Sequence, residues 1–209
     1  MADIEIKKVV EEYEIKYLVH FTQADNLQSI FKHGLLSVNA LEERGIIYKR
    51  NDQYRLDGFP NAICLSIQFP NYKMFYKYRE QNPEVDWAIL GIRKEILWEK
   101  QCAFCSDNAA SSKISSTSIS ERMGVTAFKR MYDEWPGKPS RKILGIEKSY
   151  PTNPQAEVLV FDAIEPSYNW GVAFIDEETK NKYKKYLPIN IKAEVQSSLF
   201  KYRVDWEHW

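Results

Sequence analysis

The segment Gln155-Ala156-Glu157-Val158-Leu159-Val160-Phe161 constrains this chain most. It is a short, apolar, β-branched run preceded by the turn formers Pro151, Asn153 and Pro154, which is the pattern of a buried strand. Side chains alternate across a strand, so Gln155, Glu157, Leu159 and Phe161 share one face. A carboxylate on such a face is costly unless it meets water, a partner or the mouth of a cleft. Two readings of Glu157 are open: an edge-strand glutamate in water, the commoner fate of that residue type, or a catalytic carboxylate set on a rigid strand end.

A chain of 209 residues fits one domain with a substantial core. Hydrophobic residues make up 44% and charged residues 28%, an ordinary globular composition. Its 29 basic and 29 acidic residues cancel, so a nucleic-acid partner would be held by a local patch rather than by global charge. Aromatics reach 14%, which suits either a compact core or a groove that stacks flat ligands. Cys64 lies in an apolar run, and Cys102 and Cys105 form a lone C-x-x-C. His20, His33 and His208 add no second ligand pair at zinc spacing, so no metal site is expected. The thiols read as small core residues of a reducing compartment. The polar start Met1 to Glu5 and the lack of a long apolar run lead us to expect a cytoplasmic protein with no membrane partner.

Along the chain, residues 4–15 read as an amphipathic helix and Tyr17 to Thr22 as a strand. Leu27, Ile30 and Phe31 have helical spacing, with Gly34 as the stop and Thr22, Ala24 or Asp25 as the cap. His20 and Thr22 thus share a face at a strand end just before a helix N-terminus, a place suited to a phosphate-bearing ligand. Residues 41–58 read as a charged loop or short helix. Further strands are expected at 62–67, 87–92, 102–105, 170–174 and 200–204. Helices are expected from Tyr72, over 93–98, around Met123 to Met131, and over 176–186. The Ser-rich stretch 111–120 and the basic stretch 136–154 read as loops. Mixed elements without βαβ regularity give an α+β fold.

Several motifs then occur in order: His20-x-Thr22 with Asn26, Leu27, Ile30 and Gly34; Pro70 with Met74, Phe75 and Tyr76; Cys102 to Asp107; Gln155-Ala156-Glu157-Val158-Leu159-Val160; and Asp205-Trp206. Together they resemble the DarT family of NAD-dependent ADP-ribosyltransferase toxins over nearly the whole chain. The resemblance implies one domain over residues 1–209, with split mixed or antiparallel β-sheets around an NAD cleft and helices flanking them. It implies transfer of ADP-ribose from NAD to a base in single-stranded nucleic acid, DNA thymine by family default and RNA as a competitor. It also implies a toxin–antitoxin or anti-phage setting with an antitoxin partner, typically a macrodomain. Glu157 would be the catalytic carboxylate. Arg50, or its rival Arg55, would assist. His20, Thr22, Asn26 and Leu27 would hold NAD, and Tyr72 and Tyr76 would stack on nicotinamide. Gln155, Arg55, Arg141, Lys142 and Lys148 would meet the nucleic acid. A protein acceptor, or a binding module without turnover, are the alternatives.

Overall fold

The computed structural model describes residues 3–51 and 56–209. Seven strands form one open sheet: β1 Tyr17–Gln23, β2 Ile63–Ile67, β3 Trp87–Arg93, β4 Cys102–Cys105, β5 Glu157–Val160, β6 Asn169–Phe174 and β7 Lys192–Val195. Their order is β4-β5-β2-β1-β3-β6-β7. All neighbours are antiparallel except β6 and β7, which run parallel. Around the sheet lie α1 Ile4–Glu12, α2 Leu27–His33, α3 Val38–Glu43, α4 Tyr72–Gln81, α5 Ile96–Glu99, α6 Ser112–Ser115, α7 Gly124–Arg130, α8 Arg141–Leu144 and α9 Glu177–Tyr183. The architecture is α+β, built on one open mixed sheet.

The sheet is nevertheless seamed. β1 pairs with β3 from Tyr17↔Arg93 to Gln23↔Trp87, but with β2 only at Leu18↔Ile67 and Val19↔Ser66. Beyond Val19 the two central strands part. The core follows the same division. Leu18, Leu65, Leu90, Val158 and Val160 face the main core with α1, α2 and α7. The reverse face is covered by two separate clusters. One is built on Val19, Ile89, Phe75 and Phe200, and the other on Ala103, Cys105 and Leu159. Phe161 packs against the second cluster, so Glu157, Leu159 and Phe161 share a face as alternation requires.

Local chemistry explains the elements. Asp3 Oδ1 caps α1 by accepting from the Glu5 and Ile6 N–H groups. Asn71 caps α4 through the Met74 N–H. At α2 the expected cap is not made. Thr22 Oγ1 accepts from Asn26 Nδ2, Asp25 accepts from the Tyr183 hydroxyl, and a 3-10 turn at Ala24–Asn26 leads into the helix instead. The Ser-rich stretch is not all loop, because α6 and a 3-10 turn at Ser120–Arg122 lie within it. The basic stretch likewise contains α8.

The expected strand at 200–204 is absent. A 3-10 turn, Ser197–Phe200, ends there, and the last strand is the polar segment β7. The apparent alternation runs inside out. Arg203 and Asp205 are buried and joined in a two-pronged ion pair, while Tyr202 and Val204 face outward. Arg203 also donates to the Pro151 and Thr152 carbonyls. The C-terminal segment therefore pins the loop that leads into β5.

Gly34 ends α2 with φ 86 and ψ 171, a conformation almost confined to glycine. A Cβ there would stand 2.6 Å from the Ile164 carbonyl oxygen, beside the Leu35↔Ile164 bridge. We expect Gly34→Ala to lower stability by about 1–3 kcal/mol, read as a shifted denaturant midpoint with an unchanged slope.

Candidate functional site

A cleft of about 480 Å³ opens where β1 and β2 part. Backbone groups at a parting must find other partners. The His20 ring supplies one, with Nδ1 2.9 Å from the Cys64 carbonyl oxygen. A carbonyl can only accept, so Nδ1 carries the proton of this bond. His20, Thr22 and Asn26 all line the cleft.

Asn26 is 8% exposed and acts as a clamp. Its Nδ2 donates to Thr22 Oγ1 at 3.0 Å and to the Lys49 carbonyl at 2.9 Å, and its Oδ1 accepts from the Lys49 N–H at 2.7 Å. This two-way bond fixes the loop after α3 against the end of β1 and brings Arg50 to the cleft wall. Arg50 Nη1 lies 3.6 Å from Glu42 Oε1, a loose and exposed pairing that leaves the guanidinium at the cleft wall. Arg55 lies outside the described residues. Leu27 is wholly buried in the main core and does not line the cleft, because its helix turns that face inward.

On the opposite wall Glu157 is 5% exposed. Its Oε2 accepts from the Ala109 N–H at 2.8 Å and its Oε1 from Asn108 Nδ2 at 3.4 Å. The turn after β4 that supplies these donors is tied in its turn to the loop before β5. Asn153 Nδ2 donates to Asp107 Oδ1, and Asn153 Oδ1 accepts from the Gln155 N–H. Hydrogen bonds from N–H donors favour the charged form of a buried carboxylate and fix its direction. Glu157 is thus a cleft-wall carboxylate and not an edge glutamate in water. Gln155, on the approach to the strand, also lines the cleft. Burial, and then the Glu157 charge, push the Cys105 thiol up to about 12, and burial pushes Cys102 there too, so both stay protonated. Among the described residues no group of three His, Cys, Asp or Glu side chains is placed to hold a metal.

The structure separates several expected contacts from this cleft. Tyr72 is buried edge-on against Tyr202, and its hydroxyl is pushed up to about 12 by desolvation and by Asp205. Tyr76 is exposed against Tyr202. Neither lines the cleft, since helical periodicity turns both away; Lys73, Met74, Lys77 and Tyr78 of α4 line it instead. Arg141 spends its guanidinium on Thr152 Oγ1 and the Glu147 and Lys148 carbonyls, over the Tyr132 ring. Lys148 faces Glu14 at 3.6 Å, and Lys142 is exposed on α8. None of these three reaches the cleft. The lysines that do were readable from the 73/77 spacing after the Asn71 cap. The Asn108 and Ala109 donors had no signal beyond the turn after Asp107.

A model of the family described as ssDNA thymidine ADP-ribosyltransferase, DarT, matches residues 19–203. The chain belongs to the DarT family. Among solved structures it is similar to Thermosipho africanus DarTG in complex with ADP-ribose. That match has TM-score 0.64 and 21% identity, and covers 88% of this chain and 51% of that one. The chain thus spans about half the length of the Thermosipho protein. It is also similar to Thermus sp. 2.9 DarT in complex with NAD+, with TM-score 0.55, 12% identity, and 90% and 98% of the two chains covered. The same protein in complex with ADP-ribosylated ssDNA matches with TM-score 0.54, 15% identity, and 90% and 97% covered. At these identities the likeness to the solved structures is one of fold. No curated protein matches the chain.

Asn26→Ala removes both halves of the clamp on Lys49. We expect about 1–3 kcal/mol of lost stability and much faster hydrogen exchange at the Lys49 amide, with β3 and β6 amides unchanged.

Proposed function

We propose that this DarT-family chain transfers ADP-ribose from NAD to a base in single-stranded nucleic acid, thymidine in DNA by family default. The observation that carries the reading is Glu157, a buried carboxylate aimed by the Ala109 N–H at the wall of a cleft that also presents His20, Thr22 and Arg50. The cleft volume falls in the range of roughly 300–1,000 Å³ usual for ligand sites. Apolar walls at Ile30, Leu35 and Leu41 suit flat rings, and the cations Lys49, Arg50, Lys73 and Lys77 suit a diphosphate.

In the reaction the bond between the nicotinamide nitrogen and the ribose C1′ breaks, and nicotinamide leaves with the electron pair. The ribose becomes oxocarbenium-like, and the Glu157 carboxylate stabilises that charge. A base nitrogen then bonds to C1′ and gives up its proton, for which Glu157 is the nearby acceptor. The roles of His20 and Thr22 are to hydrogen-bond the nicotinamide riboside. Asn26 acts one step back, by holding the loop that carries Arg50. Gln155, two residues before the carboxylate, faces the incoming acceptor.

We read residues 1–209 as a single catalytic domain that acts as a toxin in phage defence, in the cytoplasm. An antitoxin, of the macrodomain type that removes ADP-ribose, would accompany it. Among the described residues no helix is long and apolar enough to cross a membrane.

The test is the mass of oligonucleotides after incubation with NAD and the protein. We expect an ADP-ribose adduct on thymidine-containing single-stranded DNA, and a fall of roughly 10²–10⁴-fold for Glu157→Ala with the far-ultraviolet circular dichroism unchanged. An adduct on RNA alone would move the acceptor to RNA. An adduct on protein alone, or undiminished activity of Glu157→Ala, would overturn the reading.

A further inference from the structure

Three rings stand together on the surface beside the cleft. Tyr76, Tyr202 and Trp206 are 39%, 44% and 48% exposed. Tyr76 and Tyr202 have centroids 5.3 Å apart, and Tyr202 and Trp206 stack at 5.3 Å with 27° between planes. Val204, 69% exposed, belongs to the same segment. Large rings that keep nearly half their area in water, side by side, mark a contact surface rather than core.

Their neighbourhood says what kind. Lys73 and Lys77 lie one turn apart on α4 and both line the cleft, and Tyr76 stands on the face of the helix next to theirs, outside the cleft. A strand leaving the cleft therefore crosses two cations and then reaches the rings. Lys73 Nζ also donates to the Trp209 backbone oxygen, which ties the C-terminal turn to α4. The Arg203–Asp205 ion pair fixes the same turn from beneath, and Trp209 Nε1 donates to Asp205. The rings are thus held in place before anything binds. Glu80 adjoins the Tyr76 hydroxyl at the outer end, one turn beyond the lysines; Glu207 follows Trp206. Cations followed by stacked rings form the usual platform for single-stranded nucleic acid, whose phosphates need charge and whose bases offer flat faces.

We propose that Tyr76, Tyr202 and Trp206 form a stacking platform for the nucleotides that flank the acceptor base. The proposal rests on the nucleic-acid reading above and extends it from the reacting base to its neighbours. The platform grips a strand without reading its sequence, since every base has a face to stack.

The test compares a short single-stranded DNA of about 4 nucleotides, one of each base, with a long one of about 16 that carries the same core. Initial rates of ADP-ribose transfer are measured at saturating NAD for the full chain and for Tyr202→Ala, Trp206→Ala and Trp206→Phe. The unchanged chain is expected to prefer the long strand by tenfold or more in kcat/KM. Each alanine variant loses on the order of tenfold on the long strand and nothing on the short one, the change falling on KM, and Trp206→Phe keeps most of the preference. Alanine variants that retain the length preference overturn the platform while the activity stands. So does an equal fall on both lengths, which would make the rings structural. If neither strand is modified by the unchanged chain, the nucleic-acid reading itself fails, and the platform with it.

Discussion

The bond from His20 Nδ1 to the Cys64 carbonyl sits at the point on which the rest of the structure turns. Two central strands that stop pairing leave polar backbone groups with no ladder, and those groups must be satisfied or the sheet loses stability. The imidazole bridges the gap and lets the strands stay apart. The gap is the cleft. Everything placed around it follows from that parting: the Lys49–Arg50 loop clamped by Asn26 on one side, and the β5 carboxylate held by the turn after β4 on the other. One sheet provides the rigidity, and its interrupted seam provides the volume.

Rigidity at Glu157 has a second source. The chain from Asp107 through Asn153 to Gln155 joins the β4 turn to the loop before β5. That loop is held from outside by Arg203, which donates to the carbonyls of Pro151 and Thr152 while paired with Asp205. Buried charge of this kind is costly unless fully partnered, and here the guanidinium finds two carbonyls and both carboxylate oxygens. The C-terminal segment thus sets the approach to the carboxylate and at the same time carries Tyr202 and Trp206 at the surface.

Much of this was legible because strands and capped helices announce themselves locally. The β-branched run at 157–160 and the His20-x-Thr22 end of β1 needed only alternation and flanking turns. What failed was decided by partners distant in sequence. Phe200 to Val204 alternates like a strand, yet beyond Phe200 it buries Arg203 and leaves Tyr202 and Val204 outside, because Arg203 meets carbonyls some 50 residues earlier. β7 drew no strand reading at all, since an edge segment reading Lys-Ala-Glu-Val buries little and takes its shape from β6. Arg141 looked like a phosphate ligand, but its guanidinium closes its own loop. Tyr72 and Tyr76 were given the cleft by their ring chemistry, whereas the turn of α4 gives it to Lys73 and Lys77. Ring type and charge say what a residue can do; only the cap and the phase of the helix say where it does it.

The central claim is that the seam between β1 and β2 is where NAD binds. The most direct measurement is hydrogen exchange of the Glu157→Ala protein, in which NAD consumption is expected to be lost, with and without saturating NAD. Slowed exchange is predicted at residues 19–26, 46–51, 62–66 and 108–110, with β7 unchanged. NAD that binds, as seen by calorimetry, yet slows none of those four segments would contradict the account.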